Sequence, residues 1–319
     1  MSKSVLIVGL GQIGLGYDLH LDPSIYVYTH ARAFSQHPDF YLLAAVDPEE
    51  KRMESFNKIY KAPVYRDLDS ALSQHQPDVV VIAVSTQLHS EILYKVLESS
   101  KPEVILCEKP LSYDLDDARK MVQSCQNRGV RLYVNYMRRS DPGVIKIKNL
   151  IESGRIQIPV KGVAWYSKGF IHNGSHFFNL LEYWLGPMKN SDLLARGRLW
   201  DSVDPEPDVR VEFEKGIIVF LAAWEEAFSH YTVELLSAGG RIRYEQEGAL
   251  IQWQPVQEDP VFNGYNVLAY QPENIDSGMT RFQLNVTEQL AKALDGLDAH
   301  LCSGVDALRT IENMNIILE

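Results

Sequence analysis

The chain has 319 residues, 45% of them hydrophobic and 23% charged, a composition that suits about two globular domains and excludes a disordered or fibrous protein. Thirty-one Lys and Arg against 42 Asp and Glu leave a formal charge of −11. With no long basic run, nucleic acids and anionic membrane surfaces are excluded as partners. Cys107, Cys125 and Cys302 are scattered without a CxxC, so neither a disulfide framework nor a cysteine-based zinc site is expected and a reducing compartment is. The longest apolar runs, such as Val79 to Val84, fall far short of the ~20 residues of a membrane span. Met1 to Ser4 lead straight into an apolar strand with no signal-peptide pattern, and the expected location is the cytoplasm.

Five apolar runs, 5–8, 41–46, 79–84, 104–107 and 132–134, lack polar alternation, as strands buried on both faces of a parallel sheet do. Between them lie helical patterns; one places Leu88, Ile92, Leu93, Val96 and Leu97 at helical spacing behind Thr86. The alternation predicts a doubly wound α/β Rossmann domain over residues 1–135. From about Asp141 a helix to 153 leads into strand-like segments near 160–168, 192–200, 208–214, 217–224, 230–237, 241–245 and 249–254, separated by Gly and Pro. Closely spaced strands predict an α+β domain over 136–319 with an open, mostly antiparallel sheet. Segment 255–278 reads as an irregular excursion, and helical patterns near 279–295 and 304–318 close the chain. Trp165, Tyr166, Trp224 and Trp253 lie on the strand candidates. They suggest a sheet face covered by another copy, in a homodimer or homotetramer.

Gly9-Leu10-Gly11-Gln12-Ile13-Gly14 directly follows the first strand. Glycines there tighten the turn and let main-chain N–H groups meet a pyrophosphate at a helix N-terminus. Asp47 ends the second strand, where a carboxylate accepts hydrogen bonds from the adenine ribose hydroxyls and repels a 2′-phosphate. NAD is therefore expected over NADP, although Lys51 and Arg52 stand close by. Asp47 lies 33 residues after Gly14, against about 20 in the usual fingerprint. The excess, Leu15 to Thr29, is either a tolerated surface insertion or a flap beside the ligands.

Glu108-Lys109-Pro110 follows the strand ending at Cys107 and so projects from the carboxyl edge of the sheet. A lysine there can hydrogen-bond a substrate hydroxyl and stabilise developing negative charge. Together, the glycine loop and Val104-Ile105-Leu106-Cys107-Glu108-Lys109-Pro110-Leu111 resemble the Gfo/Idh/MocA oxidoreductases, relatives of glucose-fructose oxidoreductase and inositol dehydrogenase. Ala83 to His89 resembles the family's nicotinamide-side loop, Asn135 to Arg139 its entry to the second domain, and Gly174 to Gly186 its catalytic-histidine helix. The resemblance implies a cofactor site from Gly9, Gly11, Gln12, Ile13, Gly14, Asp47, Ser85, Thr86, His89, Glu108 and Lys109. It implies substrate contacts from Lys109, Asn135, Arg138, His172, Asn173 and His176. Lys109 would polarise the hydroxyl and His176 would remove its proton as hydride leaves the same carbon, a role suited to imidazole.

Two positions depart from the family pattern: His172 stands where Asp is common four residues before the histidine, and Asn179 where Asp is common three after it. His172 is thus a candidate partner of, or replacement for, the base. The HxxxH pair lacks the Glu of HExxH and has no cysteine nearby, so no metal is expected. Cys107 reads as an inert buried thiol. The implied function is NAD-dependent oxidation of a hydroxyl-bearing carbon in a sugar, sugar derivative or cyclic polyol. The alternatives are a redox-neutral, glycoside-cleaving enzyme of the same fold and a non-catalytic NAD-binding sensor.

Overall fold

The computed structural model describes residues 2–223, 228 and 230–319. The chain divides into two compact units, 1–140 with 280–309, and 141–279 with 310–319.

In the first unit, β1 (Lys3–Val8), α1 (His30–Gln36), β2 (Phe40–Val46), α2 (Glu50–Tyr60), β3 (Val64–Tyr65), α3 (Leu68–Gln74), β4 (Val79–Ile82), α4 (His89–Ser99), β5 (Val104–Cys107), α5 (Leu115–Arg128) and β6 (Arg131–Val134) follow in turn. Read across the sheet, the strands run β3-β2-β1-β4-β5-β6, all parallel, the doubly wound order of dinucleotide-binding domains. Val5, Ile7, Val79, Val81, Val104 and Leu106 are buried in one cluster with Ala31 and Phe34 of α1. Leu6, Val8, Val80, Ile82 and Ile105 are also buried, and strand alternation turns them to the opposite face. Burial on both faces accounts for the uninterrupted apolar runs.

The second unit opens with α6 (Pro142–Glu152), β7 (Val160–Tyr166), α7 (Ser175–Leu185), β8 (Met188–Trp200), β9 (Asp204–Phe213), β10 (Gly216–Ala222), β11 (Thr232–Ser237), β12 (Gly240–Glu245), β13 (Leu250–Glu258), β14 (Asn266–Leu268) and β15 (Glu273–Ile275). Its sheet runs β14-β13-β12-β11-β7-β10-β9-β8, with β15 beside β13. Only the β7–β10 pairing is parallel among those described. The segment expected to be irregular, 255–278, thus contains the end of β13 and two short strands paired to it. Strands of three residues are too short for periodicity to reveal.

The inner face packs Val160, Ala164, Tyr166, Val211, Phe220, Leu235, Tyr244 and Trp253 against Ile147 of α6 and Phe177, Phe178 and Leu181 of α7. Tyr166 and Trp253 are therefore core residues (0% and 2% exposed), not a docking face, while Trp165 on the outer face is 38% exposed. Trp224 lies outside the described residues. The outer face also carries ion pairs, Arg210 with Asp192 (2.7 Å) and Arg241 with Glu234 (3.4 Å).

The chain closes with α8 (Phe282–Leu294), β16 (Cys302–Ser303) and α9 (Gly304–Leu318). The division expected after residue 135 is thus displaced, and it is not a simple cut. Val286 and Leu290 of α8 join the core of the first unit with Val5 and Ala31, and β16 pairs antiparallel with β6. An amphipathic helix shows in sequence, but the sheet it covers does not.

Candidate functional site

The glycine loop leaves β1 at Gly9, whose φ of +101° and close approach to Ala83 O (2.5 Å from where a Cβ would stand) admit no side chain. A Cβ on Gly14 would fall 2.1 Å from Gly9 O, whereas nothing lies within 4 Å of one on Gly11. Two glycines therefore serve the turn itself, and Gly11 leaves open space for an incoming group. The expected helix is here a single wide turn, Gln12–Gly16. It is closed by Gly16 N–H donating to Gly11 C=O at 3.0 Å and Tyr17 N–H to Gln12 C=O at 2.9 Å. The first amides of such a turn have no partner within it and can meet an anion.

Asp47, 3% exposed, accepts from Leu10 N–H and Glu49 N–H, both at 2.8 Å. It thereby ties the glycine loop to the end of β2, with Arg52 Nη1 at 3.5 Å. A cavity of about 460 Å³ opens here, lined among others by Gly9, Gly11, Asp47, Arg52, Val84 and Ser85. The open space at Gly11 and the carboxylate at the cavity wall fit the pyrophosphate and ribose of a dinucleotide.

His89 is fully buried, with Nδ1 3.2 Å from Leu111 O and Nε2 3.2 Å from Val84 O. It stitches the loop after β4 to the loop after β5. Burial lowers its pKa, against the pull of the carbonyls and Glu108. Cys107 is also fully buried, and burial pushes its thiol well above the usual range.

Glu108 and Lys109 stand at the end of β5, and the Lys109–Pro110 peptide is cis. Glu108 Oε1 lies 2.8 Å from His30 Nε2 and accepts from Asn135 Nδ2 at 2.6 Å. Burial raises the Glu108 pKa, but the hydrogen bonds from His30 and Asn135 and the charge of Lys109 outweigh it and hold the carboxyl below its ordinary value. Asn135 also donates to Gln283 Oε1 at 3.2 Å and is 4% exposed, so its amide braces Glu108. Arg138, in the turn Met137–Ser140, is buried.

The insertion is a folded loop. Asp18, 1% exposed, accepts from Tyr28 N–H (2.7 Å), Thr29 N–H (3.0 Å) and Thr29 Oγ1 (2.9 Å). Arg32 donates to Leu21 O and Tyr26 O, each at 3.1 Å. Val27 N–H donates to Thr280 O at 3.0 Å, and Tyr28 stacks on Phe282 with centroids 5.1 Å apart.

In the second unit, His176 lies in the first turn of α7 and is 9% exposed. Phe177, Phe178, Leu181 and Leu185 are buried. His172 is not on that helix. It sits in the preceding turn, Gly169–Gly174, with its ring parallel to Trp200 (centroids 4.9 Å apart, 19° between planes). Asp204 holds this turn, accepting from His172 N–H at 2.7 Å and Ile171 N–H at 3.0 Å, and Glu206 accepts from Gly169 N–H at 3.0 Å. Burial raises the pKa of Asp204 against those amide bonds.

No side chain caps the start of α7. Asn173 donates to Tyr231 OH at 2.8 Å, Ser175 Oγ donates back to His172 O at 3.4 Å, and Gly174 occupies the N-cap position. Asn179 is fully buried and donates to Thr310 Oγ1 at 2.9 Å, which donates to Glu182 at 2.6 Å. The amide thus has a packing role inside the unit. His30, Trp200 and Asp204 were not among the residues singled out from sequence, because no local motif surrounds them.

The model of an oxidoreductase family with an NAD-binding Rossmann fold, Gfo/Idh/MocA, matches residues 3–136. The matched residues form an NAD-binding Rossmann domain. Inositol 2-dehydrogenase of Rubrobacter xylanophilus is 31% identical over 138 residues, 43% of this chain and 39% of its own length. Myo-inositol 2-dehydrogenase of Thermotoga maritima is 29% identical over 154 residues, 48% and 42% of the two chains. The chain thus spans about two-fifths of the length of these curated relatives. Over nearly the full length, the WlbA dehydrogenase of Bordetella pertussis, solved with NADH and UDP-GlcNAcA, shares the fold. Its TM-score is 0.74 at 17% identity, covering 99% of this chain and 94% of that one.

Proposed function

We propose that the protein is an NAD-dependent dehydrogenase acting on a hydroxyl-bearing carbon of a sugar, sugar derivative or cyclic polyol. The observation that carries the reading is Lys109 at the carboxyl edge of the same sheet whose first turn forms the dinucleotide cavity. NAD, when bound, supplies the hydride acceptor. Lys109 donates a hydrogen bond to the substrate hydroxyl and stabilises the negative charge that grows on its oxygen. His176 removes the hydroxyl proton and returns it in the reverse direction. His172, its ring held on Trp200 and its main chain on Asp204, contributes with Asn173 to binding the substrate. The substrate class is supported by the inositol dehydrogenases matched over the first unit.

The reading extends to assembly and location. Trp165, Leu194, Leu199 and Val203 expose 38–76% of their surface on the second unit, in keeping with a homodimer or homotetramer formed through its sheet. Cys107, Cys125 and Cys302 are buried thiols outside any disulfide, in keeping with the cytoplasm. Among the described residues no helix is long and apolar enough to cross a membrane. The deciding experiment is a screen of inositols, sugars, sugar acids and nucleotide sugars with NAD, following NADH absorbance. Turnover of one of them that disappears in Lys109→Ala supports the dehydrogenase. NADH binding without turnover of any would replace it with a sensor.

A further inference from the structure

A buried polar cluster lies behind Lys109, assembled from four distant stretches of the chain. His30, the first residue of α1, is 1% exposed and places Nε2 2.8 Å from Glu108 Oε1. Asn135, just past β6, donates to the same oxygen at 2.6 Å. Gln283 of α8 accepts from Asn135 at 3.2 Å, and its amide nitrogen lies 3.3 Å from His30 Nδ1. An ionised carboxylate only accepts, so the hydrogen between His30 and Glu108 resides on Nε2, and this fixes the ring's orientation. Two donors converging on one oxygen prevent the carboxylate from rotating. Its second oxygen is left on the side of Lys109, whose backbone N–H lies 3.4 Å away.

We infer that His30 and Glu108 form a buried positioning pair that holds Lys109 in the orientation and charge state in which it meets substrate. The inference rests on the substrate role of Lys109 proposed above, and His30 acts only through Glu108. The physical logic is Coulombic. Next to Lys109, an ionised Glu108 favours the ammonium form, and a protonated one does not. A carboxyl this deeply placed would take up a proton without its donors. His30 and Asn135 keep the negative charge where Lys109 can use it.

The test reads Lys109 directly, without turnover. The full-length protein is trace-labelled with acetic anhydride at fixed pH, and the extent of acetylation at Lys109 is measured by mass spectrometry against exposed Lys58. Only the free amine reacts, so the Lys109 to Lys58 ratio should rise at least about threefold in Glu108→Gln and in His30→Leu, corresponding to about half a pKa unit. His30→Gln keeps a donor and should restore part of the wild-type ratio. The double variant His30→Leu/Glu108→Gln should match Glu108→Gln alone, since one effect acts through the other. NADH affinity by fluorescence titration should stay within about twofold in His30→Leu and in His30→Gln. If His30→Leu does not fold, Asn135→Ala removes the second donor from the same oxygen and should move the ratio the same way. An unchanged ratio in a variant that still binds NADH, or additive effects in the double variant, would overturn the pair. Failure to oxidise any sugar would defeat the dehydrogenase reading and leave this measurement standing. An unchanged ratio in an enzyme whose turnover is lost in Lys109→Ala would defeat the pair alone.

Discussion

Alanine at Gly11 and at Gly14, introduced separately, distinguishes ligand approach from folding of the same loop. A Cβ on Gly14 would stand 2.1 Å from Gly9 O and 3.0 Å from Gly9 C. Real Cβ atoms essentially never approach closer than 3.0 Å, so the turn has to open by about 0.9 Å. Both obstructing atoms are main chain, and no side-chain rotation relieves them. Overpacking of this kind costs about 1–3 kcal/mol, or a fall in Tm of roughly 2–12 °C at ~2–4 °C per kcal/mol. Gly11 has φ −67° and nothing within 4 Å of its Cβ position, so Gly11→Ala should change stability by only about 0.5 kcal/mol. Its methyl group nevertheless occupies the space in which a pyrophosphate approaches the main chain. NADH affinity should therefore drop at least about tenfold, or ~1.4 kcal/mol. Thermal unfolding of both variants and fluorescence titration with NADH measure the two effects. Wild-type NADH affinity in Gly11→Ala would mean that the cofactor does not rest on this loop. An unchanged Tm in Gly14→Ala would contradict the geometry of the turn.

Three further outcomes follow from residues away from the glycines. NAD should bind more tightly than NADP, and Asp47→Ala should narrow the difference while lowering Tm, because the Leu10 and Glu49 amides lose their acceptor; equal affinities in the wild type would remove Asp47 from cofactor choice. Burial depresses the His89 pKa below 6.5, so below that pH the unfolded chain takes up a proton that the folded one resists, and stability falls. His89→Gln should flatten urea-melt stability between that pH and the depressed value, and an unchanged slope would exclude His89 as its source. Glu108, depressed below 4.5, contributes stability that is present above 4.5 and lost as the pH falls through its folded value, so its loss comes at lower pH. Light scattering at micromolar concentration should give a dimer or tetramer that Trp165→Glu weakens; a 36.3 kDa monomer would refute assembly through the sheet.

What the sequence disclosed follows the reach of its signals. Five strands buried on both faces stand out as apolar runs whose alternation with helices predicts the doubly wound domain, while β3, two residues long, leaves no such signal. The glycine loop and Glu108-Lys109-Pro110 are contiguous in the chain, so their chemistry could be read before their surroundings were known. What stayed hidden depends on contacts between distant segments. Nothing beside Phe282 shows that α8 completes the core around Val5 and Ala31. Nothing beside His30 shows that it meets Glu108, 78 positions later. The HxxxH spacing does not reveal that α7 starts at Ser175, and Asp204 and Trp200 from the strands beyond decide where His172 sits. Tyr166 and Trp253 misled because strand alternation sends neighbouring residues to opposite faces, and one residue separates the buried Tyr166 from the exposed Trp165.

The most direct measurement is steady-state turnover of the best substrate from the carbohydrate screen by wild type, Lys109→Ala and His176→Ala, with NADH affinity determined on each. If Lys109 and His176 act on one hydroxyl, net NADH should form in the wild type. Each replacement should then lower kcat by roughly 10²–10⁴, the range of a lost acid–base group, with NADH affinity in His176→Ala near that of the wild type. Turnover that survives both replacements would contradict the assignment and move the chemistry to other residues of the chain.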